Sequence, residues 1–450
     1  MPIPVDIIDR TFQGKRGQRA LEVCEILKHA GHDALWVGGA IRDMILRHLP
    51  EDIDIATSAT PEEIIALFPK CDEVGKAFGS VVVSQKGMTY EVTTFREDDM
   101  ASDGRHPESV RFGSRERDAS RRDFTVNAIY WDPQSGTLFD PYGGEQDLSE
   151  RLIRFIGDPE TRIRHDALRM LRAVRFRSRI NGQYHPETFA ALRLLAPLSS
   201  ELSGTRIAEE MERMLLGPHS ELALEDLWET GILQATVPEL AACKGVAQPA
   251  DYHHEGDVWN HTLQCVSSFT DDHGRDVRWA TIFHDVGKAK TFSIRERIRF
   301  DHHAEVSADI IRTVLRRLQF PMARIEKIAW IAGHHMMMGS FGDMPTERKA
   351  HWYYHPWFLE LLQVMWLDIA GTSPADFALY EEIVADYNHF LDEHPRPQKP
   401  LLSGDAIMEI LGIGPGEAVG KAVKALADAQ VRKEVTTRTE AKAFLENLQN

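Results

Sequence analysis

Asp52 and Asp54 stand two residues apart in EDIDIAT, an apolar, strand-like run. Strand geometry sends alternate side chains to one face, so both carboxylates leave together. Two carboxylates so placed can hold a pair of Mg²⁺ ions for in-line attack on an α-phosphate. One ion would lower the pKa of an attacking 3′-hydroxyl and the other would stabilise the departing pyrophosphate. Such pairs also occur at loops and edges with no metal, so the weight falls on Gly38-Gly39 upstream. A diglycine lets backbone amides approach a triphosphate closely at a helix start, where N–H groups point outward. Arg42 and Asp43 follow on that predicted helix. Glu91, in YEVTTFR, reads either as a third carboxylate near the metals or as an exposed strand glutamate.

RHDALRML predicts a helix carrying Asp166 and Arg169 three apart, hence on one face. The carboxylate only accepts hydrogen bonds and the guanidinium only donates them. Cytosine and adenine each present an amino donor beside a ring-nitrogen acceptor, which matches this pair. Uracil and guanine present a carbonyl beside an N–H, leaving both protein groups unpaired at about 1–3 kcal/mol each. The pair predicts CTP and ATP as substrates; an ordinary intrahelical salt bridge is the competing reading. The net charge of −17 opposes phosphate binding by the chain as a whole. Arginines nevertheless cluster in two runs, at 105, 111, 115, 117, 121 and 122, and again from Arg151 through Arg154, Arg162, Arg164, Arg169, Arg172, Arg175 and Arg177 to Arg179. Beside these motifs the runs point to nucleotide and RNA phosphates rather than to a merely solvated face.

His261 in VWNHTL, His284-Asp285 in TIFHDVGK and Asp368 in VMWLDIAG fall on successive amphipathic segments. Neutral imidazoles with carboxylates suit a divalent transition metal whose open positions activate water for attack on a phosphoester. A lone helical histidine is more often packed or at the surface; the contiguous HDVGK with spaced partners resembles the HD superfamily. Lys288 could pair with a phosphate. His303, His334 and His335 fit the extra histidines of some HD proteins, which hold a second metal. Met336, Met337 and Met338 read as packing residues.

These residues need elements to hold them. The 450 residues exceed one compact core, and 43% hydrophobic with 27% charged residues is ordinary for a water-soluble protein. No apolar run is long enough to span a bilayer, no secretory signal opens the chain, and the four dispersed cysteines form no CxxC, which together predict a reducing cytoplasm and no membrane partner. Residues 34–60 read as strand, glycine turn, helix and strand, and 80–95 as a hairpin about Lys86-Gly87. The polar stretch 97–118 reads as a long mobile loop. From Arg121 the chain turns helical, interrupted by a Pro/Gly-rich connector over 132–144. Residues 160–390 recur at helical spacing, HPRPQKP around Pro395–Pro400 reads as a linker, and 401–426 as helix, glycine turn, helix.

GGAIRDMIL followed by EDIDIAT resembles the signature of the polymerase β-like nucleotidyltransferases of the class II CCA-adding and bacterial poly(A) polymerase group. The resemblance continues in RRDFTVNAIYWD (121–132), DPYGGEQDL (140–148), RLIRFIGDP (151–159), DALRMLRAVRF (166–176) and SGDAIMEILGIGPG, over nearly the whole chain. It implies an α+β fold: a small nucleotidyltransferase head (1–145), a helical neck and body for base selection and tRNA binding (146–245), an HD phosphohydrolase-type domain (246–395) and a C-terminal helical tRNA-binding segment (400–450). It also implies CCA addition to tRNA 3′ ends from CTP and ATP with Mg²⁺, and an HD site holding a transition metal such as Ni²⁺ or Mn²⁺ for phosphatase or 2′,3′-cyclic phosphodiesterase work. Within RRDFTVNA, Asp123 and Asn127, expected on one helix face, would help hold the ribose and triphosphate, with Arg122 as a phosphate partner; a plain helix cap at Asp123 competes. The group reads bases with Glu-Asp-x-x-Arg, and this chain has His165 where the glutamate stands, which bears on fidelity and on the switch from C to A. DGRHPESV (103–110) resembles the group's flexible loop, whose shortening accompanies CC-only addition. A poly(A) polymerase or A-only enzyme is the nearest rival; a nucleotide-responsive HD hydrolase and a non-catalytic RNA-binding protein are rivals of other classes.

Overall fold

The computed structural model describes residues 3–73, 75–76, 79–97, 111–249, 254–394 and 400–448. These fall into two compact units, Met1–Pro238 and Glu239–Asn450. The architecture is mixed α+β, a sheet-containing head followed by helices. No described helix is long and apolar enough to cross a membrane. The expected flexible loop at 103–110 and most of the expected linker at 395–400 lie outside the described residues.

In the first unit, α1 (Val5–Gln13) and α2 (Lys15–His29) precede a sheet built from β1 (Ala34–Val37), β2 (Asp54–Thr57), β3 (Cys71–Asp72), β4 (Ser80–Gln85) and β5 (Met88–Thr94), with α3 (Gly39–Ile45) and α4 (Pro61–Leu67) between strands. After a short pair, β6 (Arg96–Glu97) and β7 (Arg111–Phe112), come α5 (Arg115–Arg121), β8 (Tyr130–Trp131) and β9 (Leu138–Phe139). The sheet order is β3-β4-β5-β2-β1-β8-β9. All of β1 is buried, as a central strand requires. The β4–β5 hairpin turns at Lys86 (φ 48) and Gly87 (φ 84), both in the left-handed region that a two-residue turn demands. Part of the stretch expected as a loop is ordered instead: α5 starts at Arg115, and its buried Asp118 pairs with Arg121 and Arg122 one turn on. The expected connector likewise contains β9.

Register sets the chemistry. Val37 pairs with Asp54, so the strand that ends at Gly38-Gly39 lies directly across from that carboxylate. The parallel pairing of Ile55 with Val92 brings Glu91 alongside Asp54 on the neighbouring strand. Ile53 and Ile55 are buried while Asp52 and Asp54 face outward, the alternation expected of the EDIDIAT run.

Beyond the sheet, α6 (Gly144–Ser149), α7 (Pro159–His165) and α8 (Leu168–Arg179) lead into the helix Gly204–Leu216, which packs on α8. The second unit is chiefly helical, with one hairpin, Phe292–Ile294 with Ile298–Phe300, that an all-helical reading of 160–390 misses. Its last three helices close a small core around Ile407, Leu426 and Leu445, and Gly412 (φ 61) ends the first of them as the glycine turn predicts.

Candidate functional site

A cavity of about 430 Å³ opens at the end of β1. Gly38, Gly39, Arg42, Asp54, Arg122, Asp123, Asn127, Asp166, Arg169, Arg172 and Arg175 all line it, joined by Arg121 and Phe176, which sequence reasoning did not single out for this site. Gly38 holds φ 70 and ψ −121 at the N-terminus of α3, a conformation that a side chain would strain. A second cavity of about 350 Å³ shares Asp54, Arg121 and Arg122 and adds Ser80, Glu91 and Arg96.

Asp54 is pushed up to about 6, first by loss of surrounding water in the cleft and then by Glu91 and Asp52, with Arg122 opposing. Glu91 accepts a bond from Ser80 Oγ at 2.7 Å, which fixes its carboxylate. Asp54 and Glu91 line the same cavity and repel one another, and a divalent cation would relieve two such hard oxygen donors, so the residues present fit a divalent metal. Asp52 lies just before β2 with its side chain 88% exposed, 2.8 Å from Arg16 Nη1, and does not line either cavity.

The basic walls are braced from behind. Buried Asp118 takes Arg121 at 2.7 Å, Arg122 at 3.2 Å and Tyr130 Oη at 2.5 Å. Burial opposes its charge, but the two arginines keep its carboxyl below the usual range. Arg42 is buried, so it does not point freely at a ligand: Nη1 donates to Asn127 Oδ1 at 2.9 Å and Nε to Asp43 at 3.2 Å. Arg179 closes on the other side of Asp43 at 2.9 Å. Phe176 carries Arg175, Arg42 and Arg172 around its ring at 4.3, 5.0 and 5.2 Å, and Glu210, buried on the helix Gly204–Leu216, anchors Arg175 at 2.7 Å.

Two expectations are corrected. Asp123 and Asn127 do not share a helix face: Arg122 and Phe124 are extended and a 3₁₀ turn, Thr125–Asn127, follows. That turn still brings them together, Asn127 Nδ2 donating to Asp123 Oδ1 at 3.1 Å. Asp123 is no helix cap either; it accepts from Arg172 Nε at 2.7 Å, and against the cost of burial Arg172 and Asn127 hold its carboxyl below the usual range. Asp166 and Arg169 are not on one helix, because α7 ends at His165 and Asp166 is extended (φ −152, ψ 104). Its carboxylate accepts from Leu168 N at 3.1 Å, starting α8, and pairs with Arg206 at 2.9 Å, while Arg169 Nη1 donates to Arg162 O. Arg206 and Glu210, on a helix distant in sequence, gave no local signal.

In the second unit, His261 (helix Val258–Ser267), His284 and Asp285 (after Arg275–Phe283) and Asp368 (helix Phe358–Ala370) converge. His261 Nε2 lies 2.9 Å from Asp368 and 3.3 Å from His284 Nε2, which lies 3.3 Å from Asp285 Oδ2. Burial would lower His284, yet Asp285 and Asp368 lift it to about 10; Cys265, Asp368 and Glu255 lift His261 likewise against burial. The carboxylates thus create a potential that draws a cation, and a metal binding there would displace those protons. Asp285 Oδ1 turns the other way, 3.3 Å from His303 Nε2 and 3.6 Å from His335 Nε2, themselves 3.3 Å apart, and this buried oxygen has no hydrogen-bond partner. Facing imidazole nitrogens and an orphaned buried carboxylate oxygen fit a metal on either side of Asp285. His334 stands apart from this cluster, packed against Trp330 and Trp352, so it is not a ligand candidate. Lys288 does not reach for a phosphate; it is buried between Asp285 Oδ2 (2.6 Å) and Gln248 Oε1 (2.7 Å). Of the three methionines Met338 is buried, whereas Met336 is 56% exposed.

A diglycine-led sheet with a carboxylate cleft, followed by helices and an HD-type cluster, defines a nucleotidyltransferase joined to an HD domain. The poly A polymerase head domain family matches residues 34–154, the family described as the probable RNA and SrmB-binding site of polymerase A matches 183–244, and the HD domain family matches 257–368. The CCA-adding enzyme of Geobacillus stearothermophilus is 40% identical over 317 residues, 70% of this chain and 74% of that protein. The CC-adding tRNA nucleotidyltransferase of Thermus thermophilus is 33% identical over 440 residues, 92% and 93% of the two chains. Among solved structures, the Bacillus stearothermophilus CCA-adding enzyme in complex with CTP superposes with a TM-score of 0.72 at 31% identity, covering 97% of this chain and 98% of that one. The chain belongs to the CCA-adding family of tRNA nucleotidyltransferases, and it is an enzyme of that class.

Proposed function

We propose that the chain restores tRNA 3′ ends by adding C, C and A from CTP and ATP, with Asp52 and Asp54 holding Mg²⁺. The observation that carries this reading is Asp54 between two cavities, across the sheet from the Gly38-Gly39 turn. Mg²⁺ there would supply Lewis-acid activation of the RNA 3′-hydroxyl and neutralisation of the leaving pyrophosphate. Glu91 supports the same centre. The amides of Gly38 and Gly39 with Arg121 and Arg122 hold the triphosphate, Arg42, Asp123 and Asn127 position the ribose end, and Arg172 and Arg175 complete the basic wall. Asp166 and Arg169 read the base; for Asp166 to face cytosine or adenine it keeps the lone pairs that Arg206 and Leu168 N leave open. The neck and body over 146–245 and the C-terminal segment 400–450 hold the tRNA, after a head at 1–145.

One relative, matched over 92% of this chain, is a CC-adding tRNA nucleotidyltransferase, so the third addition is tested directly. The protein is incubated with tRNA lacking its terminus and each nucleotide separately, and then with CTP and ATP together, and the products are sequenced. Expected are two C residues from CTP, a following A from ATP, and no extension by UTP or GTP; arrest after CC would make this a CC-adding enzyme, and UTP incorporation equal to CTP would overturn the base-reading role of Asp166 and Arg169.

The HD domain (246–395) we assign a phosphoesterase activity on RNA ends or nucleotides, with His261, His284, Asp285 and Asp368 holding one transition metal such as Ni²⁺ or Mn²⁺ and Asp285, His303 and His335 a second. Four free thiols accord with a reducing cytoplasm.

A further inference from the structure

His261 Nε2 is over-subscribed. It carries one proton or one lone pair, yet Asp368 Oδ1 at 2.9 Å, His284 Nε2 at 3.3 Å and Cys265 Sγ at 3.5 Å all converge on it. Hydrogen bonding can satisfy only one of these neighbours, whereas a cation at their common centre satisfies all of them. His261, Cys265, His284 and Asp368 each offer one ligand atom, and the four atoms lie within 4.8 Å of one another.

Two edges of this figure, from His261 Nε2 to His284 Nε2 and to Cys265 Sγ, have the lengths that a tetrahedral metal site requires, while the edge to Asp368 Oδ1 at 2.9 Å is shorter. With metal–nitrogen bonds near 2.05 Å and a metal–sulfur bond near 2.3 Å, ligand atoms should sit about 3.3 Å (N to N) and about 3.6 Å (N to S) apart. The observed values are 3.3 and 3.5 Å. Cys265 lies one helical turn after His261, so both side chains leave the same face of Val258–Ser267. The thiol is fully buried, and the backbone opposite is shaped to it: a Cβ at Gly371 would come within 2.2 Å of Sγ.

We infer that Cys265 is a thiolate ligand of the HD-domain metal, added to the His261, His284, Asp285 and Asp368 already assigned to it. The inference rests on the reading of His261, His284 and Asp368 as a metal centre. A sulfur donor shifts the site toward Zn²⁺, Co²⁺ or Ni²⁺ and away from Mn²⁺ and Mg²⁺, which prefer oxygen.

The test uses the full chain, stripped of metal and titrated with Co²⁺ alone. Expected is a near-ultraviolet thiolate-to-cobalt charge-transfer band that saturates with bound cobalt. The band should disappear in Cys265→Ser and persist in Cys243→Ser, the other buried cysteine of this unit. Cys265→Ser should also lower the ratio of Co²⁺ to Mn²⁺ affinity at least about tenfold. Wild-type protein that binds cobalt without the band, or a band that survives Cys265→Ser, overturns the thiolate assignment while leaving the centre intact. Failure of wild-type protein to bind cobalt, with no change on His284→Ala, overturns the metal centre itself. The wild-type spectrum decides even if the variant does not fold.

Discussion

Asp118 shows how much of the nucleotide cleft depends on a residue that never meets the nucleotide. Its carboxylate is 1% exposed and holds Arg121, Arg122 and Tyr130, the first two of which line both cavities around Asp54. Replacing it with asparagine removes one partner of a buried ionic network and leaves two guanidinium groups uncompensated, a change that costs about 3–5 kcal/mol in such settings. Asp118→Asn should lower the urea midpoint and raise KM for CTP by an order of magnitude, since freed arginines no longer point at the phosphates. The sign of the pH effect follows from the depressed carboxyl. A group whose folded pKa lies below its unfolded value stabilises above the unfolded pKa of about 3.9 and loses that contribution as pH falls through the folded value. Urea titrations from pH 7 down to 3 should therefore show a shallower acid-side loss in Asp118→Asn than in the parent; an unchanged slope would mean that Asp118 carries none of it.

Elements, more than residues, decided which sequence-based expectations held. Strand–glycine–helix–strand over 34–60 was legible because a short apolar run, the alternation at Asp52–Ile55 and a diglycine are local signals, and the hairpin because Lys86-Gly87 sits between two β-rich runs. Asp166 and Arg169 were misplaced on one helix because RHDALRML contains no proline or glycine; the break falls at Asp166, which is extended with its carboxylate on Leu168 N and Arg206, and neither contact is visible at helical spacing. Asp123 and Asn127 meet through a 3₁₀ turn rather than a helix, so four-residue spacing was right in consequence and wrong in cause. The HD histidines were legible as a set, but His334 and His335, adjacent in sequence, diverge because the helix Met322–His334 ends between them and only His335 turns inward. At this scale Gly287 is the sharpest test. A Cβ there would come within 2.2 Å of His303 O and 2.8 Å of Ser307 N, so alanine must push the helix His303–Arg317 away from Asp285. Gly287→Ala should lower metal content at the His303 side by tenfold or more, measured by elemental analysis after dialysis, although glycine ligates nothing. Full retention of two metals would show that this helix does not position the centre.

Across the whole molecule, the two candidate chemistries use separate residues in separate compact units. The nucleotide cleft draws on Gly38 to Phe176 and the metal cluster on His261 to Asp368. They also differ in kind. The first offers hard carboxylate oxygens in an open cleft, suited to a loosely held, hydrated Mg²⁺; the second offers buried imidazoles around Asp285, suited to a tightly held transition metal. Mutations should therefore dissociate the two activities. Asp54→Ala should reduce nucleotide addition at least about a thousandfold, because removing a ligand of the reacting metals withdraws several kcal/mol of transition-state stabilisation, and should leave hydrolysis of a generic phosphoester such as bis-p-nitrophenyl phosphate within twofold. His284→Ala should do the reverse, abolishing hydrolysis and sparing nucleotide addition. Chelation separates them again: after dialysis against EDTA, Mg²⁺ alone should restore nucleotide addition but not hydrolysis, which should return only with Ni²⁺, Co²⁺ or Mn²⁺. Were His284→Ala to slow nucleotide addition as severely as Asp54→Ala with both proteins folded, the independence of the two centres would fail, and the HD cluster would have to be regarded as part of the polymerising machinery.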